Sequence, residues 1–202
     1  MGHDDIFLTR TELASVELFI IDLREAQVLR FDEGHGRVGP NGYRAPEVTL
    51  GLPWSYGVDA FAAGCILTEL CLGRPLFHYT ECDLERLALL ERVLGPFPAA
   101  LAKRAEKRRP GFFALDGPVR VCFPPQEAHA IGEEHVRKVL NAVLLTRLIY
   151  DSEFLELAQW LLCLDPKLRS DITECYALSF LLSHDDDIVC VEPDAIDSTL
   201  RV

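Results

Sequence analysis

The stretch Gly42-Tyr43-Arg44-Ala45-Pro46-Glu47-Val48 lies between a glycine-rich segment and a long apolar one. Before it, residues 23–42 are polar and glycine-rich and show no helical periodicity, which predicts a long loop. Before that loop, residues 17–22 form a short apolar run that is typical of a strand and ends at Asp22. The stretch is therefore the end of a long connection that starts at a strand.

Helices are predicted for most of the chain after this stretch. Residues 59–72 are apolar on nearly every side, which predicts a helix buried all round, with Asp59 as its N-cap. Gly73 and Pro75 end that helix. Further helices are predicted at 81–94, 133–148, 152–163 and 171–182. A loop-rich section is predicted around the basic residues Lys103, Arg104, Lys107, Arg108 and Arg109. The predicted fold is mainly α, with one or two short strands near the start.

The bulk composition indicates a globular domain with an acidic surface. The chain has 202 residues, of which 49% are hydrophobic, and its mean hydropathy is +0.12. Its net charge of -12 argues against nucleic-acid binding, which requires a basic face for the phosphates. An acidic surface suits basic partners such as Arg- or Lys-rich peptides, although acidity can also serve solubility alone.

Cysteine and histidine spacing predicts neither a disulfide framework nor a metal site. The seven cysteines contain no C-x-x-C pair and lie mostly in apolar stretches, which favours reduced core residues. The N-terminus lacks the basic start and apolar middle of a signal peptide, and no apolar run reaches the ~20 residues of a membrane span. We therefore expect no membrane association and a location in the nucleus or cytoplasm.

One segment matches a nucleotide-binding template formally. Gly34-His-Gly36-Arg-Val-Gly39 has the spacing G-x-G-x-x-G, which should follow a strand and open a helix so that the helix N-terminus meets a pyrophosphate. Pro40 follows it directly, and the next residues do not start such a helix. We therefore interpret this motif as accidental.

The opening stretch resembles the end of a protein-kinase activation segment, the A-P-E motif in its Tyr-Arg-Ala-Pro-Glu form. The flanks agree with this. Ile20-Ile21-Asp22-Leu23-Arg24 stands where kinases have the metal-binding D-F-G, and 59–70 matches the central helix of the C-lobe. Near the end, Leu164-Asp165-Pro166 with Arg169 resembles the final helical elements of that lobe.

The segment 85–96, Glu-Arg-Leu-Ala-Leu-Leu-Glu-Arg-Val-Leu-Gly-Pro, is the sharpest identifier. It is similar to the signature of LAMMER kinases in the CMGC group, with leucines where that signature has methionines. The segment alone predicts only an ordinary amphipathic helix. The resemblance to kinases is therefore supported mainly by the order in which all these segments follow one another along the chain. The resemblance implies a mainly α, protein-kinase-like C-lobe with short N-terminal strands and no N-lobe.

The resemblance also implies a division of the chain. Residues 1–21 correspond to a remnant of the catalytic-loop and strand region, and 22–183 correspond to the C-lobe. Within that lobe, 22–47 form the activation segment and 55–183 the helical bundle. Residues 184–202 are expected to be an acidic tail.

By resemblance, five residues position the activation segment or the substrate rather than react. Glu47 forms a buried ion pair with Arg169 that anchors the activation segment. Asp59 caps its helix and holds the catalytic loop. Arg44 sets the activation segment and the pocket beside the phosphorylated residue, and Tyr43 is structural.

The resemblance assigns ATP and Mg²⁺ to the family, with Asp22 and Asp5 at the metal-binding positions. Other kinase parts do not occur in the 202 residues: a Gly-rich lid, a strand lysine with its helix glutamate, and the catalytic-loop aspartate. Asp5 replaces the metal-binding Asn, and Arg24 replaces the glycine that lets the D-F-G backbone flex. Pro40 stands where a hydroxyl residue usually contacts the catalytic loop. We therefore expect no catalytic residue and no ATP–Mg²⁺ binding in this chain.

Two functions fit these features. The first is a truncated, inactive C-lobe of a LAMMER-like serine/threonine or dual-specificity kinase, whose substrates are Arg/Ser-rich proteins. The second is a pseudokinase or protein-interaction module without phosphoryl transfer, which Arg24, Pro40 and Asp5 favour. Both readings imply protein partners, and neither involves nucleic acid or a membrane.

Overall fold

The computed structural model describes residues 26–29, 33–124 and 133–169. Within these ranges the helices and strands follow in the order α1 (Pro46–Thr49), α2 (Gly57–Leu72), α3 (Asp83–Leu94), α4 (Ala99–Arg108), β1 (Phe113–Ala114), β2 (Arg120–Val121), α5 (Glu133–Leu140), α6 (Leu145–Leu148) and α7 (Ser152–Leu161). A 3-10 helix spans Asn41–Tyr43. The mainly α prediction is confirmed for the described residues. The predicted strand at 17–22 and helix at 171–182 lie outside them.

Helix α2 packs against α7 and the 3-10 turn. Its buried residues include Phe61, Gly64 and Cys65. Gly64 permits the close approach of α7, because a Cβ at this position would lie 2.8 Å from Leu161 Cβ. The helix ends at Gly73, whose φ of 65° is the left-handed conformation that glycine adopts without strain.

Two details of the α2 prediction are wrong. The helix begins at Gly57 and its N-cap residue is Tyr56, so Asp59 lies exposed within the first turn and is not the cap. The helix is also not buried all round, because Ile66 is 50% exposed and Leu70 66% exposed. When a helix is apolar on every side, its sequence does not indicate which side is buried. Here the described elements cover only part of the surface of α2.

Helix α3 buries seven of its 12 residues. Leu87, Leu90 and Val93 are buried on the face that the apolar spacing predicts. Glu85 and Arg86 in its first turn are also buried, although both are charged types. Gly95, with φ 99°, follows the last helical residue, Leu94, which is also where the predicted helix 81–94 ends.

The loop-rich section predicted around the basic residues is a helix, α4. Leu101, Ala102 and Ala105 form its narrow buried stripe, and Lys103, Arg104, Lys107 and Arg108 point to solvent. Glu106 anchors the turn that follows by accepting hydrogen bonds from the backbone N–H groups of residues 111–113 at 2.7–2.9 Å. That turn leads into the antiparallel pair β1–β2.

The helix predicted at 133–148 is interrupted. It forms α5 and α6, with a break at residues 141–144. The helix predicted at 152–163 is present as α7, and Asp151 caps it by accepting the Phe154 N–H at 2.8 Å. In the described residues, no helix has the length and apolarity to cross a membrane.

Candidate functional site

A buried ion pair joins two segments that are 122 positions apart in the sequence. Arg169 Nη1 donates to Glu47 Oε1 at 2.7 Å, and Arg169 Nη2 donates to Glu47 Oε2 at 2.9 Å. Both side chains are fully excluded from solvent. A bidentate arginine–carboxylate pair fixes orientation as well as distance. The pair therefore locks α1 against the chain that follows α7.

The remaining donors of Arg169 are used as well. Its Nε donates to the Cys163 carbonyl at 2.9 Å, and its Nη1 also donates to the Gly57 carbonyl at 2.8 Å. The guanidinium lies 5.1 Å from the centre of the Phe61 ring. One side chain thus connects α1, the N-terminal part of α2 and the residues that follow α7.

Helix α1 presents Glu47 to this arginine. It is one turn long, begins with Pro46 and is buried at all four positions. Proline suits the first helical position because its fixed φ matches a helix and its missing N–H has no partner there anyway. The Leu52 N–H donates to the Glu47 carbonyl at 2.9 Å, so the backbone of this residue is held too.

The loop before α1 is held by Arg44. Its Nη2 donates to the Gly39 carbonyl at 2.9 Å, and its Nε donates to the Val38 carbonyl at 3.3 Å. Gly39 has φ 71°, which a residue with a Cβ rarely adopts. Partial burial, and next the positive charge of Arg37, lower the pKa of Arg44. Arg44 therefore orders the loop.

Tyr43 connects the same loop to α2. Its hydroxyl donates to Glu69 Oε2 at 2.6 Å. The contact ties the 3-10 turn to the second half of α2 and supports the structural role expected of this residue.

The glycines of the formal G-x-G-x-x-G motif have structural roles here. Gly34 pairs with Trp54 through two backbone hydrogen bonds of 2.7 and 3.0 Å. A Cβ on Gly34 would lie 2.5 Å from the indole ring of Trp54, so only glycine fits beside it. The indole N–H donates to the Gly36 carbonyl at 3.0 Å. These contacts fold the loop onto Trp54.

The first turn of α3 holds two buried charges that the sequence analysis missed. Glu85 accepts from Thr80 Oγ1 at 2.6 Å and lies 3.0 Å from His78 Nε2. Arg86 donates to the Arg44 carbonyl at 2.9 Å and lies 4.4 Å from the centre of the Phe77 ring. Their burial could have been inferred from the sequence, because Glu85 and Arg86 lie beside the apolar positions that form the buried face of α3.

Arg86 has no carboxylate partner within the described part of the chain. Its Nε and Nη1 are buried without a hydrogen-bond partner there. Burial lowers the pKa of Arg86 to about 10, and burial raises the pKa of the neighbouring Cys65 thiol to about 12. At neutral pH the guanidinium is therefore charged and the thiol is neutral. Cys65 is a reduced core residue as predicted, while the other described cysteines are half-buried.

The residues predicted to hold metal, Asp22 and Asp5, lie outside the described ranges. Asp59 is described and exposed, and its predicted contact with the catalytic loop stays a prediction because that loop is also outside. Among the described residues, no group of three or more His, Cys, Asp or Glu side chains could hold a metal ion. In the described structure, Tyr43, Arg44, Glu47 and Arg169 hold the loop before α1, and α1 itself, against the rest of the fold.

Comparison with known proteins gives one family. A model described as "Protein kinase domain" matches residues 5–181. The chain is similar to the serine/threonine-protein kinase AFC2 of Arabidopsis thaliana, at 36% identity over 156 residues, which is 74% of this chain and 35% of that kinase. It is also similar to the dual specificity protein kinase lkh1 of Schizosaccharomyces pombe, at 35% identity over 78% of this chain and 22% of that kinase.

A human relative and a solved structure agree. The dual specificity protein kinase CLK1 of Homo sapiens is 34% identical over 71% of this chain and 28% of its own length. The crystal structure of the PF14_0431 kinase domain matches with a TM-score of 0.63 and 29% identity, covering 70% of this chain and 40% of that one. The chain thus spans about a third or less of the curated relatives described here.

Proposed function

This chain belongs to the protein kinase family, and we propose from that premise that its 202 residues form the helical, substrate-binding C-lobe of a kinase. Within the family it is a eukaryotic CMGC kinase of LAMMER type, as its sequence predicts. The function proposed for the whole protein is ATP-dependent phosphorylation of Arg/Ser-rich proteins, with serine/threonine or dual specificity. For the 202 residues alone we propose partner binding without phosphoryl transfer.

The Glu47–Arg169 pair is the observation that supports this proposal most strongly. It anchors the end of the activation segment to the helical bundle with both charges fully buried. Arg44 and Tyr43 order the loop immediately before it. Kinase catalysis depends mostly on positioning and on charge neutralisation. These four residues supply positioning, which a substrate-binding lobe requires even when other parts perform the chemistry.

We propose that these 202 residues are inactive because they lack several motifs on which kinase catalysis depends. They contain no Gly-rich lid, no strand lysine paired with a helix glutamate and no catalytic-loop aspartate in the expected place. ATP and Mg²⁺ would supply the transferable phosphoryl group and its neutralising charge in a complete kinase. Asp22 and Asp5 are proposed for Mg²⁺, which needs only one or two carboxylates beside the phosphates. The lid and the lysine that would hold those phosphates are missing from these residues.

The acidic balance supports basic partners. A net charge of -12 attracts Arg-rich peptides over long range, and this attraction weakens as salt screens it. A location in the nucleus or cytoplasm, expected from the sequence, is part of the proposal.

Two assays on the purified chain test this proposal. The first incubates it with radiolabelled ATP, Mg²⁺ and an Arg/Ser-rich peptide, and we expect no label in the peptide. The second measures anisotropy of the fluorescent peptide, and we expect binding that weakens with salt. A peptide with glutamine in place of each arginine is the matched control and should bind more weakly. Label incorporation would overturn the inactivity, and equal binding of both peptides would overturn the partner class.

The alternative is that the whole protein, and not only these 202 residues, lacks phosphoryl transfer and acts as a pseudokinase or interaction module. Pro40 supports this alternative. It stands where kinases usually have a hydroxyl residue, and this exposed proline has neither a side-chain hydroxyl nor a backbone N–H to donate. It also makes no side-chain cap bond to the 3-10 turn that follows it. Arg24 and Asp5 are further departures from the kinase pattern. Fusing a kinase N-lobe with its catalytic loop to the chain discriminates the two functions: activity would favour the kinase, and inactivity the pseudokinase.

A further inference from the structure

A groove lies between helix α3, the β1–β2 hairpin and the segment that runs from α5 to α6. Its volume is about 750 Å³, and residues of all these elements line it. Helix α3 packs against both α5 and β2, which sets the walls of the groove. Neither the Glu47–Arg169 pair nor the loop that Arg44 orders contributes to the lining. We refer to it as the α3–α5 groove.

The floor of the α3–α5 groove is apolar and partly open to solvent. Leu140, Val143 and Leu144 line it and are 51%, 36% and 43% exposed. Val119 and Phe123 lie half-buried in the same lining. Apolar side chains that share one groove form a continuous patch, and such patches mark interaction surfaces more often than isolated exposed leucines do. The groove therefore suits an occupant with apolar side chains.

Positive charge surrounds this apolar floor. Arg92, Arg120 and Arg147 line the groove and are exposed, and none of them has an ion-pair partner among the described residues. The one carboxylate in the lining, Glu91, accepts the Val121 N–H at 3.1 and 3.2 Å. Three positive charges thus face one negative charge, and the lining keeps an excess of two.

The described charges beside the groove do not remove this excess. On α5, Lys138 Nζ pairs with Glu134 at 3.0 Å, and Arg137 is exposed. The turn of the hairpin carries the exposed Asp116, which does not line the groove. Arg137 and Asp116 offset each other. The groove therefore suits an occupant that is acidic as well as apolar.

The chain itself contains a segment of this chemistry. Residues 185–194 read Asp-Asp-Asp-Ile-Val-Cys-Val-Glu-Pro-Asp, with five carboxylates around three aliphatic side chains. The segment belongs to the acidic tail expected from the sequence and lies outside the described ranges. Its carboxylates match the arginines of the groove, and Ile188, Val189 and Val191 match the apolar floor.

The tail is long enough to reach the groove. Arg169, the last described residue, binds Glu47 of α1, and α1 packs against α3. Packed helices lie about 8–10 Å apart, so the distance from Arg169 to the groove is on the order of 20 Å. Residues 170–184 span up to about 50 Å when extended, and about 28 Å when the predicted helix 171–182 is formed.

A second basic surface fits the tail less well. Helix α4 exposes Lys103, Arg104, Lys107 and Arg108, which would attract carboxylates. Its apolar residues, however, are buried in the fold, so its outer face offers nothing to Ile188 and its aliphatic neighbours. The α3–α5 groove offers both charge and apolar surface.

We propose that the acidic segment 185–194 of this chain docks in the α3–α5 groove, with its aliphatic side chains on Leu140, Val143 and Leu144 and its carboxylates on Arg120 and Arg147. The docked tail covers the apolar patch and compensates the unpaired arginines. This intramolecular contact goes beyond the proposed function, because it involves neither the activation segment nor an Arg/Ser-rich partner.

Cys190 lies in the middle of the docking segment and serves as the reporter of the test. The full chain is treated with iodoacetamide under native conditions, and mass spectrometry measures the labelling rate of Cys190. A synthetic peptide of residues 184–197 gives the rate of the free segment. We expect labelling in the protein to be at least about tenfold slower, because tethering at about 1 mM effective concentration keeps a site with a Kd of about 0.1 mM mostly occupied.

Two sets of variants assign the protection to this groove. Arg120→Gln combined with Arg147→Gln should raise the labelling rate towards that of the peptide, and so should Asp185→Asn, Asp186→Asn and Asp187→Asn together, which leave the described fold unchanged. Arg104→Gln combined with Lys107→Gln removes the same charge from α4 and is the matched control, which should keep the protection. Thermal unfolding of each variant verifies that the fold is intact.

Three results would overturn the inference. Labelling of the parent protein at the peptide rate would show that the tail is not docked. Loss of protection in the α4 control, or its retention in the Arg120/Arg147 variant, would place the tail elsewhere. Protection that disappears on dilution would show that the occupant is the tail of a second copy. Because no Arg/Ser-rich peptide is used, none of these results bears on the proposed function.

Discussion

Two buried arginines, Arg169 and Arg86, show how different the surroundings of the same side chain can be. Arg169 meets a carboxylate through two hydrogen bonds and gives its other donors to backbone carbonyls. Arg86 is as deeply buried, but among the described residues it meets one carbonyl, an aromatic ring and a neutral thiol. The first charge is compensated, while the second keeps most of its desolvation penalty.

The first prediction concerns the Glu47–Arg169 pair. Glu47→Ala and Arg169→Ala should each lower the free energy of unfolding by about 3–5 kcal/mol, because each leaves the other charge buried and unpaired. The double variant should lose much less than the sum of the two, since no stranded charge remains. Urea unfolding of the four proteins measures this coupling. Simple additivity would show that the two residues act independently.

The second prediction compares the two arginines directly. Arg169→Met should destabilise by about 3–5 kcal/mol because it strands Glu47. Arg86→Met should leave the free energy of unfolding unchanged or raise it by up to about 4 kcal/mol, because it removes a buried charge that no carboxylate of the described residues compensates. Urea unfolding of the two variants and the parent protein measures both changes in the free energy of unfolding. A loss at Arg86 as large as that at Arg169 would mean that the ring and carbonyl contacts outweigh desolvation.

At the scale of elements, the crossing of α2 and α7 depends on a small residue. Gly64 faces Leu161 and Leu162, and its missing side chain allows the two helices to approach. A glycine inside a helix is normally unfavourable relative to alanine by about 1 kcal/mol. Its presence in α2 is therefore explained by packing.

The third prediction tests this packing. Gly64→Ala should lower the free energy of unfolding by about 1–3 kcal/mol, because the added Cβ would lie 2.8 Å from Leu161 Cβ and 3.0 Å from Leu162 Cγ. Ala63→Gly is the control and should cost about 1 kcal/mol through helix propensity alone. Thermal unfolding compares them. A stabilised Gly64→Ala protein would show that the crossing has room to spare.

The sequence predicted the apolar helices and missed the basic one. Helices α2, α3 and α7 have broad apolar faces, which the residue spacing indicates directly. Helix α4 exposes four basic residues and buries mainly alanine, so its narrow stripe was interpreted as a loop. The break between α5 and α6 was also missed, because no glycine or proline marks it.

Contacts of the site between residues far apart in the sequence could be predicted only where both residues belong to recognised kinase motifs. The Glu47–Arg169 pair spans 122 positions, which no local periodicity can connect, and it followed from two motif positions together. The burial of Arg86 could not follow from any such motif, because it depends on how Phe77, Cys65 and the Arg44 carbonyl meet in three dimensions.

At the scale of the whole molecule, charge is distributed unevenly. The chain carries -12 overall, yet helix α4 presents Lys103, Arg104, Lys107 and Arg108 to solvent. The acidic excess therefore lies on other parts of the chain, and the long-range attraction of a basic peptide depends on that distribution.

The central claim is that these 202 residues form a folded kinase C-lobe that does not bind nucleotide. Thermal unfolding of the purified chain with and without millimolar ATP–Mg²⁺ tests it most directly. Ligand at about 100 times Kd would add ~2.7 kcal/mol of stability and raise the midpoint visibly. We predict one cooperative transition whose midpoint ATP–Mg²⁺ leaves unchanged. An upward shift would contradict the claim by showing a nucleotide site, and the absence of any cooperative transition would contradict it by showing that these residues do not fold alone.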